Sequence, residues 1–210
     1  MAFITITPEL KFSIHTPVYQ QTIAYGAHFL SEHPGFMGPL PRVQKQTSEI
    51  IGAHDLLIVL GADPLRMSVF SENVPLPKNV PIVQIGLVDG DLAKNFPAEI
   101  ALKADVKETL RVLAPALSAA GGEDLVERAQ ASIAKLRSKN WSSKRKAIVE
   151  QISLERASSP IDPDWLALRV IEATPPDAIL VDEGLTSCAR KPESSRFKRT
   201  LSLGGHPAVV

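Results

Sequence analysis

The sequence predicts an α/β protein built on a parallel sheet. Three observations carry that prediction. Asp55-Leu56-Leu57-Ile58-Val59-Leu60-Gly61 and Pro81-Ile82-Val83-Gln84-Ile85-Gly86-Leu87 are near-continuous apolar runs closed by glycine. Such runs mark strands covered on both faces. Helical patterns alternate with these runs, and that alternation selects a parallel sheet. A later run, Ile179-Leu180-Val181, ends in the polar stretch Asp182 to Ser187. Open α/β sheets hold ligands at the carboxyl ends of their strands.

Taken in order, residues 1–16 carry little pattern, although Phe3, Ile4 and Ile6 suit a brief strand. Residues 17–41 are rich in Gly, Pro and His and lack a helical period. They read as an extended connector with one short strand near Val18-Tyr19. A helix is expected over about 43–51, closed by Gly52 as a C-cap. The two apolar strands follow, and Ile100-Ala101-Leu102-Lys103-Ala104 is a shorter third case. Asp105 then suits an N-cap for a helix over 106–117, with Glu108 three residues on as in a capping box. Ala119-Ala120-Gly121-Gly122 is a break made of small residues. From Glu123 to Arg156 there is no Gly or Pro, and Leu125, Ala129, Ile133 and Leu136 keep helical spacing. That stretch reads as helix. Ser158-Ser159-Pro160 is a second break. Asp162 caps a last helix with Pro163 at its start, through Trp165, Leu168, Val170 and Ile171. Thr174-Pro175-Pro176 stops it, and the strand from Ile179 follows. A buried parallel strand needs neighbours, each reached by a crossover of about a dozen residues or more. Residues 161–210 therefore read as the opening of an unfinished second α/β unit. They are expected to pack loosely, to dock on the central sheet, or to pair between chains.

The composition excludes several functions. Lys+Arg and Asp+Glu are each 23, a formal net charge of zero. A general nucleic-acid or membrane-surface role needs a basic excess. The basic stretch Lys135, Arg137, Lys139, Lys144, Arg145, Lys146 is flanked by acidic residues and reads as a solvated helix face. No apolar run approaches the ~20 residues of a membrane span. The N-terminus has no signal-peptide pattern, so cytoplasmic residence is the expectation. The single cysteine, Cys188, excludes an internal disulfide and any multi-cysteine metal site, and reads as structural.

Candidate chemistry falls at strand ends and in one loop. Asp182, Glu183, Thr186 and Ser187 sit where amides and hydroxyls hold phosphate oxygens, or where a plain turn caps a helix. His33, within Glu32-His33-Pro34-Gly35-Phe36-Met37-Gly38-Pro39, is either a surface-loop histidine or a ring held for proton transfer. Gly61-Ala62-Asp63-Pro64 resembles a nucleotide-binding loop but lacks G-x-G-x-x-G. Asp89-Gly90-Asp91 could suggest a metal loop but reads as a turn whose carboxylates meet solvent or cap the following segment. Trp141 and Trp165 read as helix-packing residues. No residue is assigned to a metal.

The ordered set resembles thiamine diphosphate (ThDP)-dependent enzymes of the acetolactate synthase, pyruvate oxidase and benzoylformate decarboxylase group. The motifs are His33-Pro34-Gly35-Phe36-Met37-Gly38, Gly52-Ala53-His54-Asp55 through Gly61-Ala62, Ile82 through Asp91, and Asp105 through Leu110. Their order and spacing are similar to the family's central domain over about residues 17–117. A second match, about residues 160–187, resembles the start of the pyrophosphate domain, with a strand ending in D-E-x-x-T-S. The resemblance implies a Rossmann-like central domain over 17–120, lacking its first strand and helix. A helical linker over 121–159 and a truncated start of the pyrophosphate-binding domain over 160–210 follow from it. Residues 1–16 remain unmatched.

The resemblance also carries function. It implies that Gly184, Leu185, Thr186 and Ser187 contact the ThDP diphosphate and that His33 takes a substrate-side role. It implies a 2-oxo acid substrate, ThDP and Mg²⁺ as cofactors, and a homodimeric or homotetrameric parent, with no nucleic acid and no membrane. The family's ylid-activating glutamate belongs to a domain with no room before residue 17. Gly-Asp-Gly, which with a later Asn holds Mg²⁺, occurs nowhere in the sequence. The chain is therefore expected to be a partial ThDP-dependent decarboxylase or carboligase, inactive alone and holding neither ThDP nor Mg²⁺ stably. The rivals are a non-catalytic module that binds FAD or ADP or serves as a scaffold, and a translated remnant of a disrupted gene.

Overall fold

Two segments, Leu57–Leu60 (β3) and Ile82–Gly86 (β4), pair in parallel at the centre of the computed structural model. The structure describes residues 16–21, 29–30, 32–41, 43–61, 72–74, 76–154, 159–175, 179–181 and 199–201. Ile100–Lys103 (β5) adds to β4, also in parallel, giving the order β3-β4-β5. The register sets Leu57 beside Ile82 and Val83 beside Ile100. The expected α/β class and parallel sheet are observed.

Two cores flank the sheet, because alternate residues of a strand point to opposite faces. One gathers Leu40, Ile51, Val59, Leu76, Val80 and Ile82. It lies under the helix Gln44–Gly52 (α1), whose start is held by Thr47 Oγ1 donating to the Pro41 carbonyl at 2.9 Å. The other gathers Leu60, Ile85 and Leu110, with Phe29, Val106 and Leu113 packed around them. Leu110 comes from the long helix Val106–Leu136 (α2). Val59 is 0% exposed and Leu60 2%, as their apolar run requires.

Several elements differ from the sequence reading. Residues 17–41 hold two strands, Val18–Gln20 (β1) and Phe36–Pro39 (β2), paired in parallel with an irregular register after Val18. The second was hidden because Gly38 and Pro39 are poor strand formers. Gly52 lies inside α1, and the chain leaves the helix at Ala53, whose φ of −79° is not left-handed. A Cβ on Gly52 would meet the Pro77 ring at 3.3 Å, so close approach fits glycine there. β5 is exposed along its length, not buried on both faces, because none of its residues joins either core.

The remaining helices follow their caps. The Asp105 side chain accepts from the Glu108 amide at 2.9 Å, as the capping box predicts. α2 runs past Leu117 to a kink at Gly122, whose φ of 55° and ψ of −154° suit only glycine. The expected helix over 123–156 is two helices. α2 ends at Leu136, and Trp141–Leu154 (α3) begins after a turn whose Asn140 Oδ1 accepts from the Ser143 amide at 2.9 Å. Asp162 Oδ1 caps Pro163–Ala173 (α4) by accepting from the Asp164 and Trp165 amides, both at 2.9 Å. Ile179–Val181 (β6), read as a strand with no sheet of its own, pairs in parallel with Arg199–Leu201 (β7). Among the described residues no helix is long and apolar enough to cross a membrane.

Candidate functional site

His33 stands in a tight turn before β2. Its backbone N–H donates to the Leu30 carbonyl at 3.0 Å, and its carbonyl accepts from the Phe36 amide at 2.9 Å. The ring turns back on its own loop, where Nδ1 accepts from the Gly35 amide at 3.1 Å. An accepting Nδ1 carries no proton, so the neutral ring bears its proton on Nε2. The His33 ring meets Phe29 edge-on at 5.1 Å, and Phe29 stacks on Phe36 at 5.8 Å. Phe29 packs against the core of Leu60, Ile85 and Leu110. Leu60 and Ile85 stand at the carboxyl ends of β3 and β4. One aromatic ring therefore links His33 to the edge of the sheet where α/β folds hold ligands.

The loop is fixed from a second side. Asn140 is 5% exposed, and its Nδ2 donates to the Pro34 carbonyl at 3.2 Å. The next residue, Trp141, lies on Gly38, where an added Cβ would stand 2.6 Å from the indole Cε3. Gly38 has φ +93°, so both its backbone and its neighbour exclude a side chain. A Cβ on Gly35 would meet the Thr16 carbonyl at 3.0 Å and His33 Nδ1 at 3.2 Å. The two glycines of the motif thus let the chain approach His33 on one side and Trp141 on the other.

Gly61 (φ +64°) donates its amide to the Ile85 carbonyl at 2.7 Å, and a Cβ on Gly86 would stand 4.0 Å from the Gly61 Cα. Asp89-Gly90-Asp91 forms a short 3₁₀ turn beyond β4. Asp89 pairs with Lys103 at 3.7 Å and Asp91 with Lys94 at 3.6 Å, all well exposed. The turn reading of this segment holds.

The diphosphate residues expected from the resemblance, Gly184, Leu185, Thr186 and Ser187, lie outside the described residues, as do Asp182, Glu183, Cys188 and Ala62-Asp63-Pro64. His33 is thus the one expected site residue with a described surrounding. Phe29, Gly35, Asn140 and Trp141 were not singled out as its neighbours. An Asn before a helix signals a cap, but nothing local signals its bond to Pro34, 106 residues away. Trp141 packs on a helix-free segment, Gly38, where sequence suggested only helix packing. Of the basic stretch, Lys135, Arg137, Lys139, Lys144 and Lys146 are exposed and Arg145 is half-buried.

Known proteins are similar to this chain in sequence and architecture. The family described as "Thiamine pyrophosphate enzyme, central domain" matches residues 9–113. Benzoylformate decarboxylase of Pseudomonas aeruginosa is 26% identical over 211 residues, covering 96% of this chain and 36% of that protein. Sulfoacetaldehyde acetyltransferase of Roseovarius nubinhibens is 26% identical over 237 residues, covering 99% of this chain and 38% of that protein. The chain thus spans little more than a third of these relatives. Among solved structures, a thiamine diphosphate-dependent 4-hydroxybenzoylformate decarboxylase of Rhodococcus jostii RHA1 matches with TM-score 0.62 and 22% identity, over 95% of this chain and 33% of that one. Benzoylformate decarboxylase of Polynucleobacter necessarius matches with TM-score 0.64 and 18% identity, over 92% and 33%.

Proposed function

Since this chain belongs to the thiamine pyrophosphate enzymes, whose central domain it carries, we propose that it is part of a ThDP-dependent 2-oxo acid decarboxylase or carboligase. The benzoylformate decarboxylase-like branch comes first and the acetolactate synthase-like branch second. The carrying observation is the central-domain match over residues 9–113, half of the chain. The likeness to a benzoylformate decarboxylase over 96% of the chain supports the first branch. In such enzymes the bound cofactor supplies the carbanion chemistry, and the protein supplies position and electrostatics.

Among this chain's described residues no group of three or more His, Cys, Asp or Glu could hold a metal ion. The sequence contains no Gly-Asp-Gly. Gly184, Leu185, Thr186 and Ser187 are proposed diphosphate contacts, and His33 a substrate-side group that donates through Nε2. Catalysis is proposed to need residues beyond these 210, in a homodimer or homotetramer of longer subunits acting on a 2-oxo acid.

The test has two arms. The purified 210-residue chain is expected to release no CO₂ from benzoylformate or pyruvate with ThDP and Mg²⁺, and to show no saturable thermal shift with them. Turnover by the chain alone would sink the claim of inactivity. Replacing the matched segment of the Pseudomonas aeruginosa relative with residues 9–113 is expected to keep ThDP-dependent CO₂ release. A folded chimera that holds ThDP without turnover would count against the decarboxylase reading.

A second reading, a non-catalytic nucleotide module, is favoured by Gly61 and Gly86. Their backbones lie side by side at the carboxyl ends of β3 and β4, where a nucleotide can approach. A thermal shift of the chain with ADP or FAD, and none with ThDP, would select it.

A further inference from the structure

We propose that Asn140 and Trp141, at the start of α3, are positioning residues that set the His33 imidazole. They do so from outside the 9–113 segment that defines the family. Three observations converge on the loop they clamp. Asn140 is 5% exposed and uses both ends of its amide: Oδ1 accepts from the Ser143 amide at 2.9 Å and Nδ2 donates to the Pro34 carbonyl at 3.2 Å. Trp141 fills the space that a side chain at Gly38 would need. Between those two anchors lies Gly35, whose amide donates to His33 Nδ1 at 3.1 Å.

The consequence is chemical. The Asn140 bond fixes the peptide that joins Pro34 to Gly35, because it holds the carbonyl of that same peptide group. The plane of that peptide sets the direction of the Gly35 N–H. The N–H in turn leaves Nδ1 without a proton and puts the ring proton on Nε2. One side chain of α3 thus decides through a single planar group which imidazole nitrogen donates. Trp141 on Gly38 prevents the loop from sliding along β2. The helical linker is part of the site's support, in the way that an outer shell orients a functional group.

The functional meaning rests on the reading of His33 as a substrate-side group. The geometry does not, so the test observes the imidazole directly. The chain has five histidines, which makes selective labelling practical. With ¹⁵N-labelled His and Gly, the wild-type chain is expected to show neutral His33 protonated at Nε2, with a scalar coupling across Gly35 N–H to Nδ1. Protonation at Nδ1 in the neutral ring, or absence of that coupling, overturns the assignment. Asn140→Asp keeps an acceptor for the Ser143 amide and loses the donor to Pro34. It is expected to retain the helical circular dichroism of α3, while the His33 signals become a mixture of both tautomers. Gly38→Ala, which displaces the Trp141 ring, is expected to do the same with Asn140 intact. An unchanged His33 spectrum in either folded variant overturns the clamp. Should both variants unfold, the wild type decides by amide exchange. Gly35 and Ser143 are expected to open as one unit, and independent opening overturns the proposal. A variant that loses the tautomer but keeps turnover in a longer chimera, carrying residues 9–154 and so including Asn140 and Trp141, would uphold the clamp and refute the substrate-side role.

Discussion

Gln84 interrupts an otherwise apolar strand, and its amide explains why. It is 1% exposed, donates through Nε2 to the Asp91 carbonyl at 2.9 Å and accepts through Oε1 from the Ala93 amide at 2.7 Å. A buried polar group must find partners, and here the partners are the turn that follows β4. That turn includes Ala93 at φ 54°, an uncommon conformation for a residue with a side chain. Gln84→Leu fills the volume but leaves both backbone groups unpartnered. It is expected to cost about 1–3 kcal/mol by urea unfolding and to speed exchange of the Ala93 amide. An unchanged midpoint would show that Gln84 does not hold the turn. The sequence displayed Gln84 as a polar residue within a strand, yet not its purpose, because its partners lie seven and nine residues on, in a turn with no pattern of its own. His33 is the same case. Its motif was legible, but the Gly35 bond that orients its ring was not.

Helix caps were the most legible elements. Asp105 and Asp162 were read as caps from residue type and position, and both accept amides at 2.9 Å. Cap chemistry is local, so local sequence suffices to find it. Asp105→Ala is expected to lower stability by about 1 kcal/mol, and Asp105→Asn to restore most of it, measured by thermal unfolding. Equal stability of Asp105→Ala and wild type would remove the cap from any account of α2. The split between α2 and α3 was less legible. No Gly or Pro marks it, and Lys139 and Asn140 break the helix through side-chain bonding and a tight turn in which the Lys139 amide donates to the Leu136 carbonyl at 2.9 Å. Asn competes with the helix only if its side chain has a better partner elsewhere, and that partner is Pro34. Strand β2 escaped for a related reason: Gly38 and Pro39 lie in it because β1 and Trp141 fix them there, against their own preference.

The molecule as a whole distributes burial in a way that apolar content does not show. Ile85 and Ile100 belong to neighbouring strands with similar sequences, yet Ile85 is 3% exposed and Ile100 55%. Ile85 packs with Leu60 and Leu110 in one of the two cores, whereas Ile100 belongs to neither. Ile85→Ala is expected to cost about 2–5 kcal/mol through lost burial and a cavity. Ile100→Lys is expected to stay within about 0.5 kcal/mol of wild type, as read by denaturant titration of both. Equal losses would mean that β5 is covered in solution, and that the edge seen here is occupied by another part of an assembly. Exposed Leu102, Leu87 and Val88, at 43%, 64% and 61%, lie on β5 or just beyond β4 and would share that cover.

By itself the sequence determined the class, the parallel strands, the capped helices and the family. Each rests on periodicity, on residue type or on motif order, which are properties of the chain read along its length. Only the tertiary structure decided that β5 is an edge, that β1 and β2 pair, and that Asn140 reaches Pro34. Those outcomes depend on which elements meet. A hydrogen bond across 106 residues, or a ring pressed on a glycine, leaves no period in the sequence because neither partner's neighbours encode the other's position.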